Sequence, residues 1–167
     1  CGWRAGRGVD RCAWGDAAVL RAAASGHAAV VRYLCELPPE RGVDPSVRLS
    51  SAVILAAENG HAAVVRYLCE LPAERGVDLS ACGNDAVRRA ARNGHAAVVR
   101  YLCELPAERG VDPAAGDNQP LRKAAEKGRA AVVRYLCELP AVRGVDPAAR
   151  DNTVIRLAAK NGHAAVV

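Results

Sequence analysis

The chain is 167 residues long, with 23 Lys and Arg against 18 Asp and Glu, a net charge of +5, and few aromatics (two Trp, four Tyr, no Phe). No apolar run approaches the roughly 20 residues that span a bilayer. A glycine-rich phosphate loop, an HExxH helix and a CxxC pair are all missing, so nucleotide, zinc-peptidase and dithiol chemistry have no starting point.

In chain order, the segment GHAAVVRYLCELP starts at Gly26 and again at Gly60 and Gly94, returns as GRAAVVRYLCELP from Gly128, and begins once more at Gly162. The spacing is 34 residues each time (60 less 26, 94 less 60). Cys1, Cys35, Cys69, Cys103 and Cys137 keep the same step. A fixed period of this size marks one supersecondary unit stacked on copies of itself. We expect a single array over residues 1–167, with units starting near 16, 50, 84, 118 and 152. Because it opens in mid-unit and has no polar capping repeat, the array reads as part of a longer protein.

Each unit opens on a helix-capping residue type, at Asp16, Ser50, Asn84, Asn118 and Asn152, whose side chains are expected to accept from the first unpaired N–H groups of a helix. A short helical pattern follows, as at Val53, Ala56 and Ala57 or Leu121, Ala124 and Ala125. Gly26, Gly60, Gly94, Gly128 and Gly162 then stop it. A second helix starts at once, with Val64, Val65, Leu68, Cys69 and Leu71 as its apolar stripe in one copy, and Pro72 ends it. An irregular stretch, AERGVD, leads back to the next unit. The unit is helix, tight turn, helix, long return.

Ala56-Ala57, Gly60-His61, Val64-Val65, Leu68, Glu70 and Gly76-Val77-Asp78, with their copies in every unit, resemble the ankyrin repeat. Tetratricopeptide repeats share the length but need longer helices and aromatic positions that this chain lacks. The resemblance implies an all-α solenoid of antiparallel helix pairs, first helices on its concave side, and a general role in binding proteins. The chain departs from the family in three places. The His of the Thr-Pro-Leu-His opening is replaced by Leu20, Ile54, Arg88, Arg122 and Arg156, with only Pro120-Leu121 keeping a trace. The return loop is about three residues shorter and the stretch after the second helix about four longer, giving 34 in place of 33. The protruding fingers are therefore expected to be stunted. Ala28 and its copies also replace a larger apolar residue.

His27, His61, His95 and His163 lie one repeat apart, too far for two of them to share a metal with bonds of about 2 Å. Arg129 stands in the fifth place, so a structural role in the turn is expected. Stacked helices lie about 8–10 Å apart, beyond the roughly 7 Å reach of a disulfide. The cysteine ladder is thus expected to be buried free thiols, with Cys1, Cys12 and Cys82 more reactive. Unpaired thiols suit a reducing compartment, cytoplasm or nucleus. Arg66 and Glu70, at i and i+4, are expected to form a solvated ion pair. No cofactor and no metal is expected.

The second helices are nearly identical, whereas the first helices differ in charge. Windows 16–25, 50–59, 84–93, 118–127 and 152–161 carry 0, −1, +2, +2 and +2, which together equal the net +5 of the chain. The excess lies on Arg88, Arg89, Arg92, Arg122, Lys123, Lys127, Arg156 and Lys160. Of these, Arg88, Arg89, Arg92, Arg122, Lys123 and Arg156 are the candidate partner-binding residues. The plain reading is a solvated helix face; the sharper one is a non-enzymatic module that attracts an acidic protein partner. Nucleic-acid binding through the stripe is the alternative, disfavoured because Tyr33, Tyr67, Tyr101 and Tyr135 fall on second helices, away from it. A purely architectural subunit is a third possibility. The unit holding Trp3, Cys12 and Trp14 is unlike the others and fits either a cap or a second contact patch.

Overall fold

The computed structural model describes residues 11–37, 48–72 and 81–166. Cys1, Trp3 and Gly76-Val77-Asp78 lie outside the described residues, as do the side chains of Cys12, Trp14, Asp16 and Cys82. The helices in chain order are α1 (Arg11–Ala24), α2 (Ala28–Glu36), α3 (Leu49–Glu58), α4 (Ala62–Glu70), α5 (Ala81–Asn93), α6 (Ala96–Glu104), α7 (Ala115–Glu126), α8 (Ala130–Glu138) and α9 (Ala149–Lys160). No strand occurs among the described residues.

Odd-numbered helices stack on one another in order and form one layer. Even-numbered helices form the second, each packed on the odd helix before it. In the odd layer Ala56, Ala57, Ala90, Ala91, Ala124 and Ala125 are fully buried, and side chains this small let backbones approach closely. The odd helices accordingly touch over more of their length than the even ones. Val64, Val65 and Leu68 and their copies in α6 and α8 fill the space between the layers.

α2, α4, α6 and α8 are the same nine residues, AAVVRYLCE. Each ends at a Leu held extended before proline, as at Leu71 (φ −61°, ψ 145°) and Leu105 (φ −61°, ψ 148°), because the proline ring excludes the helical conformation at the residue before it. The turn between paired helices closes as a two-bond helix stop. His61 N–H donates to Ala56 O (2.9 Å) and Gly60 N–H to Ala57 O (3.3 Å). Gly60 sits at φ +80°, and a Cβ there would lie 2.5 Å from Nδ1 of His95. Glycine is required both for the left-handed backbone and for the imidazole seated against it.

That imidazole has a definite task. His61 Nε2 donates to Ala24 O (3.0 Å), His95 Nε2 to Glu58 O (2.9 Å) and His163 Nε2 to Glu126 O (3.0 Å). A carbonyl only accepts, so these contacts place a proton on Nε2. Arg129 substitutes with its Nε on Arg92 O at 3.2 Å. Each unit thus hooks the end of the first helix before it.

The capping expectation needs correction. Asn84, Asn118 and Asn152 mark a boundary inside α5, α7 and α9, but they lie at φ 62°, 57° and 58°. In α7 three successive residues, Gly116, Asp117 and Asn118, are left-handed, and the helix restarts after them. Pro120 falls in that restarted first turn, where a missing N–H breaks no bond. The Asn118 side chain does not cap its own helix. Its Oδ1 accepts from Asp146 N–H (3.0 Å), as Asn84 Oδ1 accepts from Asp112 N–H (2.9 Å). Asn is selected here because it tolerates the left-handed region and reaches the return segment of the next unit. Asp112 and Asp146 take part of the capping role, each accepting from the N–H two residues on, at 2.8 and 2.9 Å. Ser50 lies within α3 and Asp16 within α1.

Two further expectations change. Arg66 makes no ion pair with Glu70; its guanidinium sits 5.4 Å over the Tyr101 ring, as Arg32 sits over Tyr67 (5.2 Å) and Arg100 over Tyr135 (5.2 Å). A planar cation on an aromatic face at such a site is worth about 0.5–1 kcal/mol, comparable to the exposed ion pair it replaces. The second change is in the thiols: Cys35, Cys69 and Cys103 are buried but Cys137 is exposed. Arg109 of the next unit's return segment crosses to Cys69 O (2.7 Å). After Leu105-Pro106 and Leu139-Pro140 the return makes a short 3₁₀ turn, Ala107–Arg109 and Ala141–Arg143, stopped by Gly110 and Gly144 at φ 70° and 72°. Val111 is buried, so the return folds onto the body of the stack.

Candidate functional site

The charged first-helix faces meet in a cleft of about 200 Å³ lined by Glu58, Arg88, Arg89, Arg92, Asn93 and Lys123. It spans three consecutive first helices. α3 supplies Glu58 near its end, α5 supplies Arg88, Arg89, Arg92 and Asn93 from its last two turns, and α7 supplies Lys123. The stacking of Ala90 and Ala91 between neighbouring helices, both fully buried, turns the intervening arginines outward.

Within the cleft most charges are already engaged. Arg89 Nη1 lies 2.7 Å from Glu58 Oε2 and its Nη2 3.3 Å from Asp85 Oδ2. These hydrogen bonds, that to Glu58 first, hold the Arg89 guanidinium above its ordinary pKa. Arg88 pairs with Asp85 one turn earlier. Lys123 Nζ lies 2.7 Å from Glu126 Oε2, and Lys127 shares that carboxylate at 3.6 Å. The Lys123 bond is the first cause keeping the Glu126 carboxyl below its ordinary range. Asn93 Nδ2 donates to Glu58 O (2.7 Å), fixing the floor. Two features remain unused. Arg92 makes no ion pair among the described residues, and Arg88 Nε is buried without a hydrogen-bond partner.

The cleft thus joins four of the six residues singled out from the sequence. Arg122 lies outside it, 3.5 Å from Asp117 Oδ2. Arg156, on α9, belongs to a separate hollow with Thr153, Leu157, Ala159 and Lys160. Glu58, Asp85 and Asn93 were not picked out by summing charges over windows. Their signal lay in comparing one column of the repeat. Ala24, Glu58, Arg92, Glu126 and Lys160 occupy the same place in successive units, and from Glu58 onward their charges alternate.

Among the described residues no group of three or more His, Cys, Asp or Glu could hold a metal ion, and no helix is long and apolar enough to cross a membrane. A family model described as ankyrin repeats (3 copies) matches residues 4–77, 21–117 and 53–151. No curated protein matches the chain. Ankyrin repeats are generally protein–protein interaction modules, and proteins built from them are typically non-enzymatic. With overlapping matches running from residue 4 to residue 151 and helix pairs stacked at the same period, the chain belongs to the ankyrin repeat family.

Proposed function

We propose that the chain is a non-enzymatic scaffold that docks a protein with an acidic surface on its first-helix face, along a single array through residues 1–167. The observation that carries this reading is the cleft, where Arg88, Arg89, Arg92 and Lys123 converge from consecutive first helices. The closer packing of the odd layer supports its place on the inner side of the stack's curve. A preformed cleft docks a partner with little ordering cost, and its positive excess speeds encounter with an acidic surface. Free thiols at Cys69 and Cys103 support a reducing, intracellular setting.

The test is crosslinking and recovery of partners from the source, with the wild type beside an Arg88→Glu, Arg89→Glu, Arg122→Glu variant of unchanged helicity. The variant is expected to lose the recovered proteins, and wild-type recovery is expected to fall as salt rises. Equal recovery by both would remove the first-helix face from the proposal. Tight binding of a generic oligonucleotide at physiological salt would transfer the stripe to nucleic acid.

A further inference from the structure

The charges in and around the cleft define what fits there. Its lining holds four cations, Arg88, Arg89, Arg92 and Lys123. Three carboxylates, Glu58, Asp85 and Glu126, pair with members of that set. Every cation of the lining except Arg92 has a carboxylate partner. Arg92 stands between Glu58 and Glu126 in its own column, yet Arg89 holds the first at 2.7 Å and Lys123 the second at 2.7 Å. Its backbone carbonyl is occupied as well, by Arg129 Nε. The guanidinium is exposed and keeps its full set of donors.

We propose that the cleft is a single-carboxylate pocket, which takes one aspartate or glutamate side chain of a partner's peptide segment on the Arg92 guanidinium. The proposal rests on the interaction role given above and specifies its chemistry. Size agrees, since about 200 Å³ is below the roughly 300–1,000 Å³ of pockets that hold free small molecules and suits one side chain entering from a docked surface. The arrangement of donors also agrees. An arginine fork binds the two oxygens of a carboxylate in parallel. A polyanion is a poor fit, because its affinity grows with the number of phosphates neutralised and the cleft offers one unpaired cation.

The probe is an end-blocked pentapeptide, acetyl-Ala-Ala-Glu-Ala-Ala-amide, titrated against the ¹⁵N-labelled chain, with its Gln counterpart as control. The Glu peptide is expected to shift the Arg92 Nε–H resonance and the backbone amides around it; the Gln peptide is not. Arg92→Gln is expected to weaken the Glu peptide roughly tenfold or more, as loss of a charge-assisted bidentate contact does. Arg92→Lys, which keeps the charge without the fork, is expected to fall between the two. Arg134→Gln, on α8 in the other layer, should leave binding unchanged. Equal shifts from both peptides, or unaltered binding by folded Arg92→Gln, would overturn the pocket. If the triple charge reversal abolishes partner recovery while Arg92→Gln leaves it intact, the single-carboxylate pocket fails and the first-helix reading stands. If neither variant changes recovery, both fail.

Discussion

α2 and α6 are the same nonapeptide in different surroundings. Both are regular helices ended by the same extended Leu before proline. In α6, between α4 and α8, Val98 is 1 % exposed; in α2, with α4 as its one even-layer neighbour among the described helices, Val30 is 47 % exposed. Tyr33 is 61 % exposed, whereas Tyr101 is half-buried beneath Arg66. The nine residues determine that a helix forms and where it stops. The neighbouring units determine how much of it leaves water. Stability in such an array is therefore a sum of weak units and strong interfaces, and the same substitution should have different effects at different places.

The largest expected difference is between Leu102→Ala and Leu34→Ala. Leu102 is fully buried, and its truncation should cost about 2–5 kcal/mol. Leu34, half-buried at the same place in α2, should cost about 1–2 kcal/mol in proportion to the area it hides. Urea unfolding followed by far-ultraviolet circular dichroism measures both. Equal costs would mean that the helix, and not the interface, sets stability.

The same contrast explains which parts of the molecule were legible in its sequence. The helix pairs, the glycine stops and the inward Val-Val-Leu stripe were legible because each depends on a few adjacent residues. Cys137 was misplaced because the cover over such a thiol comes from the neighbouring unit, as Arg109 reaches Cys69 O from 40 positions on, and not from its own helix. The asparagines were misassigned because an N-cap and a left-handed boundary favour the same short polar side chain. The acceptor at Asn118 serves a donor 28 residues on, beyond any local pattern. At the cleft, the basic residues were legible as a sum of charge. The pairing that leaves Arg92 alone was not, since Glu58 and Arg89 are 31 positions apart and meet only when units stack.

A second comparison sharpens the interface term. Asn118→Ala leaves Asp146 N–H without its acceptor and puts a Cβ-branchless but chiral residue at φ 57°, together costing about 2–3 kcal/mol. Asn152 holds the same backbone at φ 58° but is exposed. Its replacement by Ala should cost only the left-handed strain, about 1–2 kcal/mol. Asn118→Gly separates the two contributions at one site, because glycine removes the strain and still loses the bond. A chemical-denaturation series over the three variants gives the order, and a costlier Asn152→Ala would refute the inter-unit role of the asparagine.

The smallest effect concerns the thiols, where one residue type in one register meets two environments. Burial raises the Cys69 and Cys103 thiols from 9.0 to about 12. Cys137 is also raised by partial burial, but its side chain is open to reagent. In folded protein at neutral pH, Cys137 should be labelled by an aqueous thiol reagent well before Cys69 or Cys103, because the thiolate is the reactive form and reagent must reach it. The buried pair should react only as fast as the stack opens, which mass spectrometry of timed aliquots reads directly. The same shifts give a pH dependence whose sign is fixed. Below pH 9 both states keep the proton and the contribution is complete; from 9 towards 12 the unfolded chain releases it first, so stability falls. Tyr135, raised from 10.0 to about 12 by partial burial, adds in the same direction from pH 10 towards 12. Replacing Cys69 and Cys103 together by Ala should flatten part of that alkaline decline, while replacing Cys137 should alter it less. An unchanged decline in the double variant would assign the alkaline loss to the tyrosines, and equal labelling of Cys137 and Cys103 would mean that the last pair is covered as completely as those inside the stack.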